Sequence, residues 1–235
     1  MSPRRSNPLV RPALIEIGAR LLLEEGPRGL STRRLAAEAG CSSMVVYTHF
    51  GGMSELVREM VHEGFARLQR YFTRVADTED PVADMALLGR AYRHNATANP
   101  HLFAVMFGAS SLATFSLSEA DRQYGRFTLA KVVDCASRCI AAQRFAAENS
   151  ELVAHRMWSA IHGVVILELG GYLIPPFDAD CCFEDQLAAL MVGAGDSREA
   201  AAQSVAASRA RLRREVEDAP ARAASEDATT AAAMT

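Results

Sequence analysis

An all-α fold follows from three features of this 235-residue sequence. Apolar residues recur at intervals of three and four, as in Leu14, Ile17, Leu21 and Leu22, the period of one helix face. Strict alternation, the mark of half-buried strands, is missing, and glycine or proline punctuates the ends of the periodic stretches. With 49% hydrophobic and 23% charged residues, the chain has the composition of an ordinary protein of one or two domains, long enough to bury a sizeable core.

The elements follow in order. Gly26-Pro27 closes the first helix; Ser31 or Thr32 caps the second and Gly40 ends it; Ser42 caps a third, which Gly51-Gly52 ends. Ser54 starts a long fourth helix, carried by Met60, Phe65, Leu68 and Phe72. Beyond Asp77 the helices lengthen and grow aromatic, over about 81–98, 100–109, 118–146, 150–172 and 179–193, with Pro81, Pro100 and Pro175-Pro176 between them. From Gly195 the chain turns Ala-rich. An exposed helix over 197–217 and then a disordered tail are expected, because past Asp218 there is too little apolar surface to offset the entropy of ordering. Three segments result: 1–53, 54–194 and 195–235.

Charge is uneven along this chain. The total is −3, yet residues 1–35 hold seven arginines, Arg4, Arg5 and Arg33 among them, against Glu16, Glu24 and Glu25. A basic end on an acidic body is a local electrostatic footprint of the kind that meets nucleic acid. The five cysteines have no zinc-ligand spacing and read as reduced thiols in a cytoplasmic protein. The N-terminus has no signal-peptide pattern, and no stretch reaches the roughly 18 uninterrupted apolar residues of a membrane span, so no membrane partner is expected.

Helix 31–39, the turn at Gly40 and helix 42–50 are the parts of a helix-turn-helix. Ala36 and Ala39 let the two helices approach, Gly40 supplies a positive φ, and Leu35, Val46 and Phe50 face inward. The opposite face of the third helix then carries Ser43, Met44, Val45, Tyr47, Thr48 and His49, a mixed surface suited to a major groove. Cys41 packs into the core, and His62 reads as a solvated helix residue.

The stretch "GLSTRRLAAEAGCSSMVVYTHFGGMSELVREMV" closely resembles the DNA-binding signature of the TetR (tetracycline repressor) family, over about residues 10–61. Further on, "WSAIHGVVILELGGYL", with Trp158, His162 and Gly163, looks like the tryptophan-histidine-glycine ligand and dimer domain of an actinobacterial branch of that family, and "NPHLFAVMFG" like its preceding segment. The resemblance implies an N-terminal three-helix DNA-binding domain followed by a helical bundle that binds a ligand and dimerises. Thr32, Arg33, Tyr47 and His49 would hold phosphates, while Ser43, Met44, Val45 and Thr48 face base edges. One departure is Met53, where the family often has a phosphate-binding lysine.

The third helix has no Arg, Lys, Asn or Gln, the side chains that pair bidentately with guanine or adenine, so specificity leans on thymine methyls, hydroxyls and DNA shape, with Arg33, Arg34 or the Arg4-Arg5 arm in support. Beyond the head, no catalytic set, metal cluster or cofactor motif is found, and an enzyme is not expected. The resemblance implies that aromatic side chains of the bundle line an apolar cavity for a small effector; Phe103, Met106, Phe107, Trp158, Ile161, His162 and Val165 are the candidates. It also implies a homodimer through about 150–172 and 179–193, and hence a palindromic operator on double-stranded DNA. The sequence therefore reads as a one-component repressor released by a small, largely apolar ligand. The alternative is a helical ligand-binding or scaffolding protein whose head no longer binds DNA specifically.

Overall fold

The computed structural model describes residues 9–108, 115, 118–146 and 149–218. The Arg4-Arg5 arm and the tail after Asp218 lie outside them. Every regular element among the described residues is helical: α1 (Val10–Glu25), α2 (Thr32–Glu38), α3 (Ser43–Phe50), α4 (Met53–Arg74), α5 (Pro81–Ala98), α6 (Pro100–Phe107), α7 (Glu119–Gln123), α8 (Arg126–Ala141), α9 (Ser150–Leu169), α10 (Ala179–Gly193) and α11 (Arg198–Leu212), which runs into a π-helical turn, Arg213–Glu217. Packing divides the chain into two units, Met1–Arg67 with Asn99–Arg126, and Leu68–Ala98 with Phe127–Thr235. The division falls inside α4 between Arg67 and Leu68, whereas the sequence placed a boundary at 53/54; α4 is one unbroken helix of 22 residues with no proline to interrupt it.

The first unit forms around Leu14, Ile15, Leu35, Val46, Leu56 and Met60, all 1% exposed or less. Burying a side chain of this size stabilises the fold by about 1.5–3 kcal/mol. Gly18 is needed where α1 passes α4, since a Cβ there would collide with Met60. Helix α6 packs on α1, which is why residues 99–126 join this unit.

The second unit forms around α5, whose long buried face meets α9, α10 and α11. Two acid–base clusters link these helices. Arg90, 4% exposed, donates to both oxygens of Glu184 (2.5 and 2.8 Å), to the Ser208 hydroxyl (2.9 Å) and to the Val205 carbonyl (3.1 Å). Asp84, 1% exposed, accepts from the Thr78 N–H and hydroxyl (both 2.8 Å), from Arg138 (2.7 Å) and from Arg211 (2.6 Å).

These contacts correct the expectation of an exposed last helix. Helix α11 buries Ala201, Ser204, Val205 and Ser208. Its inward face is small and polar because it meets the hydroxyl-seeking groups of Arg90 and Asp80, so no apolar stripe announced the burial. The expected helix 118–146 is also divided. A capping box at Ser118 and Asp121 starts α7, and a tight approach at Gly125, where any Cβ would strike the Phe65 ring, separates it from α8. Helix 150–172 stops at Leu169. Gly171, at φ +72, closes it through Gly171 N–H to Glu168 O (2.9 Å) and Tyr172 N–H to Leu167 O (3.0 Å).

By length and composition alone, α9 is one described helix that could cross a bilayer. It is also tied into the unit: Val153, Met157, Ile161 and Val165 are buried, and Glu168 accepts two hydrogen bonds of 2.7 Å from Arg93.

Candidate functional site

Two short helices and the turn between them build the reading face. Ser31 has extended backbone, and its hydroxyl accepts from the Arg34 N–H at 3.4 Å, which starts α2. Gly40, at φ +63, reverses the chain so that the Cys41 N–H reaches Ala36 O at 2.9 Å. Ser42 stands at the cap of α3 with the right backbone, but its side chain makes no capping bond. Helix α4 starts at Met53, one residue earlier than Ser54.

Leu35, Ala36, Val46 and Phe50 take the inside of this motif, as the sequence pattern required. On the outside of α3, Met44 is 71% and Tyr47 53% exposed, Thr48 is exposed, and Ser43, Val45 and His49 are half-buried. The Thr48 hydroxyl donates to Met44 O at 2.8 Å, so one of its hydrogen bonds stays within the helix. Arg33 is exposed. Thr32 is half-buried, and its hydroxyl donates to Met53 Sδ at 3.4 Å. Met53 thus replaces a cation with a weak acceptor for the neighbouring threonine.

Three of the N-terminal arginines are ion-paired in the fold: Arg11 with Glu59, Arg20 with Glu24 and Glu38, and Arg34 with Glu25 (2.5 Å) and Glu38 (3.3 Å); on α4, Arg58 pairs with Glu55 and Asp121 (3.0 Å). His62 is not the solvated residue expected from the sequence. Its ring stacks on Tyr124 with centroids 3.8 Å apart, and its Nε2 is buried.

The effector candidates fall in two groups. In the first unit, Phe103 and Met106 are buried in α6, and the Phe107 ring lies 5.1 Å from Phe103 and 5.8 Å from Phe65. In the second unit, Ile161 and Val165 are buried, His162 is half-buried and Trp158 is 38% exposed.

Tyr92 is not among the effector candidates that the sequence offered. Its hydroxyl is the centre of a polar cluster: Trp158 Nε1–H donates to it at 3.3 Å, and it lies 2.7 Å from His162 Nδ1. Burial pushes the Tyr92 phenol well up, with the Trp158 hydrogen bond opposing, so it keeps its proton. Burial pushes the His162 imidazole down, towards the neutral form. The self-consistent assignment has Tyr92 donating to Nδ1 and His162 carrying its proton on Nε2. No spacing rule could have found this, because Tyr92 and His162 are 70 residues apart in sequence.

A family model described as bacterial regulatory proteins, tetR family, matches residues 14–60, the segment that builds the reading face, and one described as tetracyclin repressor-like, C-terminal domain, matches residues 85–190. The chain belongs to the TetR family. The HTH-type transcriptional regulator Rv1816 of Mycobacterium tuberculosis is 32% identical to this TetR-family chain over 101 residues, 41% of this chain and 42% of that protein. The match thus spans less than half the length of that relative. Among solved structures, a protein with unknown function from Rhodococcus sp. RHA1 shares the fold at a TM-score of 0.68 and 24% identity, over 83% of this chain and 100% of that one. The TetR family transcriptional regulator PfmR from Thermus thermophilus shares it at 0.63 and 18% identity, over 76% and 97%.

Proposed function

We propose that this TetR-family chain is a one-component transcriptional regulator, a homodimeric repressor that binds a palindromic operator and is released by a small, largely apolar effector. The observation that carries the reading is the outward face of α3: Met44, Tyr47 and Thr48 stand in solvent beside an exposed Arg33, while Val46 and Phe50 hold the helix from behind. Tyr47, His49, Thr32 and Arg33 hold phosphates and fix the register; Ser43, Met44, Val45 and Thr48 contact base edges. Turning the Thr32 hydroxyl from Met53 to a phosphate costs little, because a thioether is a weak acceptor.

Dimerisation supplies the second half-site. In α9 the side chains of Leu152, Ile166 and Leu167 are exposed, and Gly163, with open space where a Cβ would stand, allows close approach of a second helix. A two-fold pair of heads reads a palindrome. For the effector, Trp158 and His162 of the second unit offer an aromatic edge and a polar anchor organised by Tyr92. In the first unit, Phe103, Met106 and Phe107 of α6 are the apolar candidates.

Selection of bound sequences from a random duplex pool, at near-physiological salt, tests the reading. A palindromic consensus is expected. No enrichment by a folded dimer, in the presence or absence of a panel of small apolar compounds, would sink it. With the operator in hand, the same compounds are screened for release, and Trp158, the single tryptophan of the chain, reports their binding by fluorescence.

A further inference from the structure

The ion pairs of the head leave an asymmetry that the family motif does not describe. In the segment from α1 to α3, the described cations are Arg11, Arg20, Arg28, Arg33 and Arg34, with no lysine. Arg11, Arg20 and Arg34 are each tied to carboxylates. Arg28 and Arg33 are exposed and have neither an ion pair nor a side-chain hydrogen bond among the described residues.

Arg28 is left over for a visible reason. It sits in the turn that closes with Gly29 N–H to Gly26 O at 3.1 Å, directly before α2. The nearest carboxylate in sequence, Glu25, lies against Gly29, where any Cβ would collide with the Glu25 side chain. That carboxylate is engaged by Arg34, with Nη1 2.6 Å from Oε2 and Nη2 2.5 Å from Oε1. Glu24 is held by Arg20 at 2.8 Å. Both acids flanking the turn are therefore spoken for, and the charge of Arg28 is uncompensated.

We infer that Arg28, in the turn that leads into the helix carrying Arg33, is a phosphate-contacting residue of the DNA interface, and that Arg34 is a positioning residue that ties α2 to the end of α1 without touching DNA. This rests on the DNA-binding reading and adds to it a contact outside the helix-turn-helix helices. Arg34 is also exposed, but both oxygens of Glu25 and one of Glu38 already balance its charge, so a phosphate meets less net attraction there than at Arg28, which gives up only water and counterions.

The experiment measures the salt dependence of binding to a mixed-sequence duplex of about 30 base pairs, long enough for two heads one or more helical turns apart, for the full chain and three variants. Each phosphate contact contributes roughly 0.9 to the slope of log affinity against log salt, so Arg28→Gln in a protein with two heads is expected to lower the slope by about 1.8 and weaken binding to all sequences alike, roughly three- to tenfold. Arg28→Lys retains the slope. The neutral double variant Arg34→Gln with Glu25→Gln also retains it, while circular dichroism reports whether the head stays helical. An unchanged slope in Arg28→Gln, beside a wild type that binds steeply, overturns the inference alone. A slope that falls in the double variant of a helical head as much as in Arg28→Gln overturns the positioning role of Arg34. A wild type that does not bind duplex at any salt overturns the DNA-binding reading itself.

Discussion

In the second unit Arg90 is 4% exposed, and every hydrogen bond described for its guanidinium goes to a partner on α10 or α11; in the first unit Arg33 stands in solvent without one. The same side chain is used in two ways. Where one partner is buried, as Asp84 is beside Arg138 and Arg211 and as Arg90 is beside Glu184, arginine fixes helix against helix, since the buried charge is tolerated only with its partner in place. Where no acid competes, it remains available to an external anion. The partition of a folded protein's charges, rather than its net charge of −3, decides what its surface can bind.

The largest expected effect strains the structural side of this comparison. Asp84→Ala leaves Arg138 and Arg211 without their shared acceptor and is expected to cost about 3–5 kcal/mol, read from urea unfolding at neutral pH. A loss below about 1 kcal/mol would mean that water takes over from the carboxylate, and that the contrast between the units is smaller than the geometry implies.

Acid titration sharpens the same point. Hydrogen bonds from Arg211 hold the Glu215 carboxyl down to about 2, against a usual 4.5. Burial raises Asp84, but hydrogen bonds from Thr78, Arg211 and Arg138 outweigh it and leave it lowered. Carboxylates depressed in the folded state stabilise it fully above their unfolded value and lose that contribution as pH falls through the folded one. For Glu215 the stability should decline between about pH 4.5 and 2. Arg211→Met should flatten that decline; an identical acid profile would remove Arg211 as its cause.

On the other side, Arg33→Ala is expected to weaken duplex binding roughly tenfold, about 1.4 kcal/mol, for all sequences alike if it contacts only phosphate. Loss of discrimination at one base pair in the selected operator would show instead that it reads a base. The smallest expected effect belongs to Tyr92→Phe, which deletes the hydroxyl between Trp158 and His162 at about 0.5–1.5 kcal/mol of stability and should shift Trp158 emission. No change in emission would detach Trp158 from the cluster.

Local chemistry alone was enough to place the helix-turn-helix. The apolar positions Leu35, Val46 and Phe50, the turn at Gly40 and the small residues between them all act within one short stretch of chain, so their pattern survives in the linear sequence. The first four helices and the outward set on α3 were legible for this reason, as was the family. Tertiary structure decided what depends on distant partners. It turned α11 inward through Ser204 and Ser208, broke 118–146 where Gly125 meets Phe65, gave Tyr92 its place between Trp158 and His162, and settled which arginines of the head are neutralised. A hydroxyl or a guanidinium reads as surface in a sequence, because its burial is set by a distant acceptor, 127 residues away between Arg211 and Asp84, and not by any periodicity of its own neighbours.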